Sequence, residues 1–158
     1  MIPEEIPYED IVIRLDGISQ ADYTIGYVPS HNFGIYLANT DIKVGQIGFR
    51  IGISELLKKY AGQVGYGVEE AHRGNGYAAK ALCALRKHVS LYLPHVYITC
   101  TPSNVASART IEKAGGVLQE VVDVPKGNPA YEAEEPKKNV YILDLSQERA
   151  NWKVEEQT

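Results

Sequence analysis

The residues best suited to chemistry are Arg73-Gly74-Asn75-Gly76-Tyr77-Ala78, a glycine loop between an apolar run and a helical repeat. A helix start carries N–H groups without intrahelical partners and the positive end of the helix dipole. Glycines there let the backbone close around a phosphate, and an arginine adds a fixed charge suited to its oxygens. The chemistry predicted is anion binding. The plain alternative is that Gly74 and Gly76 only turn the chain from strand to helix. Arg73 in front and the small Ala78 and Ala79 behind favour the ligand. Gly74-x-Gly76-x-x-Ala79 also fits a dinucleotide fingerprint, which needs an acidic residue at the end of the next strand. Thr99-Cys100-Thr101-Pro102 stands there instead, and no triphosphate loop G-x-x-x-x-G-K-[ST] occurs.

The other chemistry-bearing types are sparse. Cys83 and Cys100 have neither C-x-x-C nor zinc spacing and read as reduced thiols. His31, His72, His88 and His95 show no ligand spacing, so no metal is predicted. His72, beside the glycine loop, could touch a ligand bound there; an exposed loop residue is the plainer reading. No G-x-S-x-G elbow supports a serine hydrolase. Tyr131, Glu132, Glu134 and Glu135 lie in a long loop from Asp123 to Lys138, where they could border a cationic amine; a solvated charged loop is the plainer reading.

These residues need elements to hold them. Ile11 to Leu15, Phe33 to Ala38, Ile42 to Ile51 and Gln63 to Val68 read as strands, with Asn39-Thr40-Asp41 closing a hairpin. Ser54 to Tyr60 reads as a short helix, and Gly17 to Ser30 is turn-rich. After the glycine loop, Ala78, Ala81, Leu82, Leu85 and Val89 recur at helical spacing from Tyr77 to about Leu91. Val96 to Thr101 is a strand. Asn104 or Ser103 caps a second helix that Gly115-Gly116 ends. Val117 to Val122 and Asn139 to Leu145 are strands, and the last dozen residues form a polar, partly ordered tail. The class expected is α+β, a mixed, mostly antiparallel seven-stranded sheet flanked by helices.

Size and charge bound the rest. At 158 residues the chain suits one domain, residues 1–158. A formal net charge of −4 argues against general nucleic-acid binding. Eleven tyrosines and the single Trp152 read as core and rim rather than a base-stacking platform. The N-terminal stretch lacks a signal-peptide pattern and no run approaches a membrane span, so a cytoplasmic protein is expected.

With both segments in view, the sequence resembles the GNAT superfamily of acetyl-CoA-dependent N-acetyltransferases. Arg73-Gly74-Asn75-Gly76-Tyr77-Ala78 matches the pattern [QR]-x-x-G-x-[GA], and Asn104-Val105-Ala106-Ser107 matches Asn-x-x-[AS] at the expected spacing. The resemblance implies that acetyl-CoA is the co-substrate. Val68, Arg73, Gly74, Asn75, Gly76, Tyr77 and Ala78 would hold its pyrophosphate, Asn104 its pantetheine amide, and Ser107 would lie near the arm. It also implies direct attack by an amine, from a small molecule or a peptide or protein, in a ternary complex. Many members place an acidic tyrosine seven positions after the asparagine; here that position is Ile111. Substitutes are Tyr66, Cys100, Thr101, Tyr141 or water, and the carboxylates available as base are Glu69 and Glu70. The candidate catalytic set is Glu69, Tyr66 and Cys100. Gly17 to Ser30 is short for the two helices usual there, which could open the acceptor cleft. A homodimer is allowed. The alternatives are an acyl-CoA-binding sensor or partner module without turnover and, further off, a nucleotide binder.

Overall fold

Strand-forming residues dominate the first half of the chain, and the fold begins with a meander. The computed structural model describes residues 4–19, 29–52, 54 and 56–157, with side chains as far as residue 151. β1 (Glu5–Tyr8), β2 (Ile11–Ser19), β3 (Ser30–Leu37), β4 (Lys43–Arg50) and β5 (Val64–Val68) pair in that order. Each is antiparallel to the next. β1 was not legible because of Pro7, but at a sheet edge a proline removes no ladder bond. β2 runs past Leu15 through an irregularity before Gly17, so Gly17–Ser19 is strand rather than turn. The rest of the Gly17–Ser30 segment lies almost entirely outside the described residues. Asn39 turns the β3–β4 hairpin with a φ of 61°, which asparagine tolerates.

A second sheet has the order β6-β8-β7, again antiparallel, from β6 (His95–Cys100), β7 (Val117–Asp123) and β8 (Lys137–Asp144). The α+β class holds, and the strands divide five and three instead of forming one run of seven. Helices α1 (Tyr77–Ser90) and α2 (Val105–Lys113) fall where the periodicity and caps predict. The short helix read near Tyr60 is a single π turn, Leu57–Ala61, anchored by the buried Leu57.

The polar C-terminus departs from expectation: it forms α3 (Ser146–Gln157). Asp144 accepts a hydrogen bond from Ser146 N at 2.9 Å and starts the helix. Arg86 on α1 pairs with Glu148 at 2.6 Å, and Arg149 donates to Ser90 O at 2.8 Å. Among the described side chains, α3 is thus tied to α1 by one ion pair and one hydrogen bond to a backbone carbonyl. Its side chains beyond residue 151, Trp152 included, lie outside the described set.

Alternation sorts the first sheet into two faces. Ile11, Ile13, Phe33, Ile35, Ile47 and Phe49 are buried against Ala81, Leu82, Leu85 and Val89 of α1. Each large side chain so buried contributes about 1.5–3 kcal/mol. The opposite face is built of glycine and polar residues in cross-strand rows, Asn32–Gly48–Gly65 and Gly34–Gln46–Gly67.

The two sheets meet at Gln63. This fully buried residue donates from its backbone N to Tyr97 O at 2.7 Å, and its Oε1 accepts from Tyr97 N at 2.9 Å. Its Nε2 donates to Gly52 O at 2.6 Å. Beyond this clamp β5 and β6 are each the last strand of their sheet. The result is a wedge-shaped gap between two strand edges.

Candidate functional site

The gap leads to the glycine loop. Gly74 and Gly76 have φ of 86° and 74°, a region costly for residues with a Cβ, and a Cβ at either would meet nothing within 4 Å. The glycines are needed for backbone shape, and they leave open space above it. Gly76 caps α1 without a side-chain hydrogen bond, and the first intrahelical bond runs from Lys80 N to Gly76 O at 3.1 Å. The amides of the first turn are therefore free to face a ligand.

A cavity of about 450 Å³ joins this loop to the end of β5 and to α2. Of the residues predicted to bind a cofactor, Val68, Arg73, Gly74, Gly76, Tyr77, Ala78, Asn104 and Ser107 line it. Asn75 does not; its Nδ2 folds back to His72 O at 3.0 Å and stiffens the loop. Arg73 lies exposed with Nε on Val68 O at 3.0 Å, so the rest of its guanidinium remains available. Asn104 caps α2, its Oδ1 accepting from Ser107 N at 3.1 Å. The cap and a ligand role are compatible, because the cap uses only the amide oxygen.

Sequence reasoning missed two lining positions, Ala106 and Thr110 on α2, and favoured an exposed loop role for His72, which lines the cavity. The legible signal was helical spacing: Ala106, Ser107 and Thr110 share the face that the Asn104 cap begins.

Of the catalytic candidates, Tyr66 is placed at the centre. Its hydroxyl lies 2.7 Å from Ser107 Oγ and 3.3 Å from Ser107 O, joining β5 to α2. Burial is the main cause that pushes its pKa up to about 12, so the phenol stays protonated. Cys100 is buried on β6, and burial raises its thiol too, which opposes a thiolate nucleophile. Glu69 is exposed, receives no place in the cavity, and precedes a 3-10 turn, Glu70–His72. Tyr141 is buried with its hydroxyl 3.5 Å from Glu112. Ile111 is fully buried in the core, so that point of α2 packs rather than reacts.

A second cavity of about 320 Å³ opens on the glycine-and-polar face of the first sheet. Asp16, Asn32, Gln46, Arg50 and Gly65 line it, and Tyr66 is common to both cavities. The long loop holding Glu132, Glu134 and Glu135 borders neither. Glu132 pairs with Lys138 inside the loop at 2.7 Å, and Glu135 accepts from Ser103 N at 3.0 Å, which ties the loop to the start of α2. Among the described residues no three His, Cys, Asp or Glu side chains gather as a metal group. No described helix is long and apolar enough to cross a membrane.

Comparison with known proteins agrees with this geometry. Residues 5–117 match the family model of the acetyltransferase (GNAT) domain. The chain belongs to that family. Its fold is similar to the acetyltransferase (GNAT family) from Bacillus anthracis, with a TM-score of 0.64, 20% identity, and 89% and 98% of the two chains covered. It is also similar to a ribosomal L7/L12 alpha-N-protein acetyltransferase in complex with coenzyme A, with a TM-score of 0.65, 16% identity, and 90% and 99% covered. A third likeness is the Microcin C7 self-immunity acetyltransferase in complex with acetyl-CoA and AMP, with a TM-score of 0.55, 19% identity, and 73% and 61% covered. No curated protein matches the sequence.

Proposed function

We propose that this protein moves an acetyl group from acetyl-CoA to an amine by direct attack in a ternary complex. The observation that carries the reading is the gap between β5 and β6, two strand edges without ladder partners, running to an uncapped helix start. Unpaired backbone edges are costly unless something pairs with them. A pantetheine arm has amides of that chemistry, and a pyrophosphate suits the amides behind Gly74 and Gly76. Coenzyme A and acetyl-CoA in two of the three named structural relatives support the same ligand.

Acetyl-CoA supplies a thioester-activated acetyl group; the chain's residues bind, orient and handle protons. Arg73, His72 and the first turn of α1 hold negative charge, and Asn104 can donate from its Nδ2 to an arm carbonyl. An acceptor nitrogen forms the new C–N bond as the C–S bond breaks, the nitrogen's proton passing to water. The thiolate needs a donor. The Tyr66–Ser107 hydroxyl pair fills that role: one hydrogen lies between the two oxygens and the other points onward. Glu69 stands outside both cavities, so its service as base would run through water.

A second reading has its own observation. Ile111 is packed into the core where many relatives carry an acidic tyrosine, which suits an acyl-CoA-binding module without turnover. Thermal unfolding with acetyl-CoA, CoA, NAD and ATP, on wild type and Gly76→Asp, tests the ligand. At 100 times its dissociation constant, acetyl-CoA should add about 2.7 kcal/mol to the folded wild type and far less to the variant. A larger shift with NAD or ATP, or no shift at all, would end the acetyl-CoA reading. Steady acetylation of any amine would end the binding-module reading.

A further inference from the structure

We infer that the second cavity selects an acceptor amine that also carries an acid group, with Arg50 as the residue that holds the acid. The inference rests on the acetyltransferase reading, because it assigns the acceptor side of the same site. Among the described residues, two charged ones line this cavity, Asp16 and Arg50. Asp16 is already neutralised, its Oδ2 lying 3.1 Å from Lys43 Nζ. Arg50 has no carboxylate partner among the described residues. Its Nη1 donates to Gly62 O at 2.8 Å, which fixes the guanidinium and leaves its remaining donors to a ligand. Among the described residues, the free charge of the cavity is therefore positive.

The neutral lining points the same way. Asn32 gives its Nδ2 to Ser19 Oγ at 2.9 Å, and its Oδ1 would stand 2.8 Å from a Cβ at Gly48. Gln46 lies similarly over Gly67, its Nε2 2.8 Å from a Cβ built there. These amides cover the trough between glycines without adding charge. A polycationic amine would meet one spent carboxylate and one arginine. An amino acid, a dipeptide or another acid-bearing amine would meet a fixed guanidinium.

The spacing sets the size. Gly48 pairs with Gly65, beside Tyr66, and Arg50 lies two residues further along β4. That separation is about 7 Å along the strand. With the reacting nitrogen at Gly65–Tyr66, an acid several bonds away reaches Arg50. Gly65 is the floor of this approach: a Cβ there meets nothing within 4 Å.

The test follows release of free thiol from acetyl-CoA with matched acceptors: glycylglycine against glycylglycinamide, and 5-aminopentanoate against pentylamine. The acids should exceed their uncharged partners about tenfold or more in kcat/KM. Arg50→Gln should remove that advantage, lowering the acids by about tenfold to a hundredfold. It should leave the neutral amines unchanged, and Arg50→Lys should restore part of the preference. Gly65→Val, which fills the floor, should stop transfer to every acceptor while the acetyl-CoA thermal shift persists. Equal use of acid and partner, absence of any rate with the acids, or an Arg50→Gln variant that keeps the preference overturns the inference. In each of those cases a retained acetyl-CoA shift leaves the cofactor reading standing; its loss in wild type would fail that reading instead.

Discussion

Two hydroxyls carry the residue-scale argument. Tyr66 and Ser107 reach each other from β5 and α2 at 2.7 Å, in the cavity read here as the thioester's. If the pair donates to the departing thiolate, Tyr66→Phe and Ser107→Ala should each lower kcat about a hundredfold. The apparent dissociation constant for acetyl-CoA should hardly move. The double variant should be little worse than either single one, since the two act as a unit. Additive losses in a double-mutant cycle would refute the shared role. The phenol's elevated pKa, about 12, adds a second expectation. The donor stays protonated through pH 10, so kcat should show no alkaline fall due to Tyr66. A falling limb near pH 9 that disappears in Tyr66→Phe would contradict burial as the controlling influence.

At the scale of elements, the decisive device is the vertex that opens the gap. Gly62 has a φ of 75°, and a Cβ there would come within 2.9 Å of Thr99 N. With a ψ of 163° Gly62 sits in a region kept almost wholly to glycine, so Gly62→Ala adds backbone strain of about 1–3 kcal/mol and pushes β5 from β6 at this clamp. Chemical denaturation should show that loss, along with a weaker acetyl-CoA shift. A variant of full stability would mean the vertex is held by Gln63 alone. The elements flanking this vertex were legible because each carries a local signal: the 3.6-residue repeat of α1, the Asn104 cap, the paired glycines. The vertex was not legible. Gln63 and Gly62 are single residues whose roles depend on Tyr97 and Thr99, more than thirty positions away. For the same reason the pattern of strands did not reveal that they divide into two sheets. β1 was hidden by Pro7, and α3 by its polar face, although Asp144, Ser146 and Glu148 make a readable helix start. The glycine loop that lines the larger cavity was legible almost residue by residue; the Tyr66–Ser107 pair and the Arg50 cavity required the fold.

The whole molecule is held together partly by a polar pair in its core. His31 on β3 and His88 on α1 are both buried, with Nδ1 and Nε2 at 2.9 Å, enclosed by Phe33, Phe49 and Tyr92. One proton can sit between those nitrogens, and His88 Nδ1 has no partner among the described residues. Burial lowers the pKa of His31, and burial and then the neighbouring His31 lower that of His88 to about 4. Unfolded, each imidazole would titrate near 6.5. Between those values the unfolded chain binds more protons, so stability rises with pH across the window and is lost as pH falls through it. His88 alone makes that loss up to about 3 kcal/mol, or roughly 6–12 °C in Tm. The carboxylates with lowered pKa, Asp10, Asp144 and Glu135, start from 3.8 to 4.5 and so act mainly below this window. A Tm profile from pH 7 to pH 4.5 should therefore fall in wild type and flatten in the double variant His31→Leu, His88→Leu. An unchanged slope in that variant would place the acid sensitivity elsewhere. A flat wild-type profile would show that the pair binds protons in the folded state as readily as in the unfolded chain.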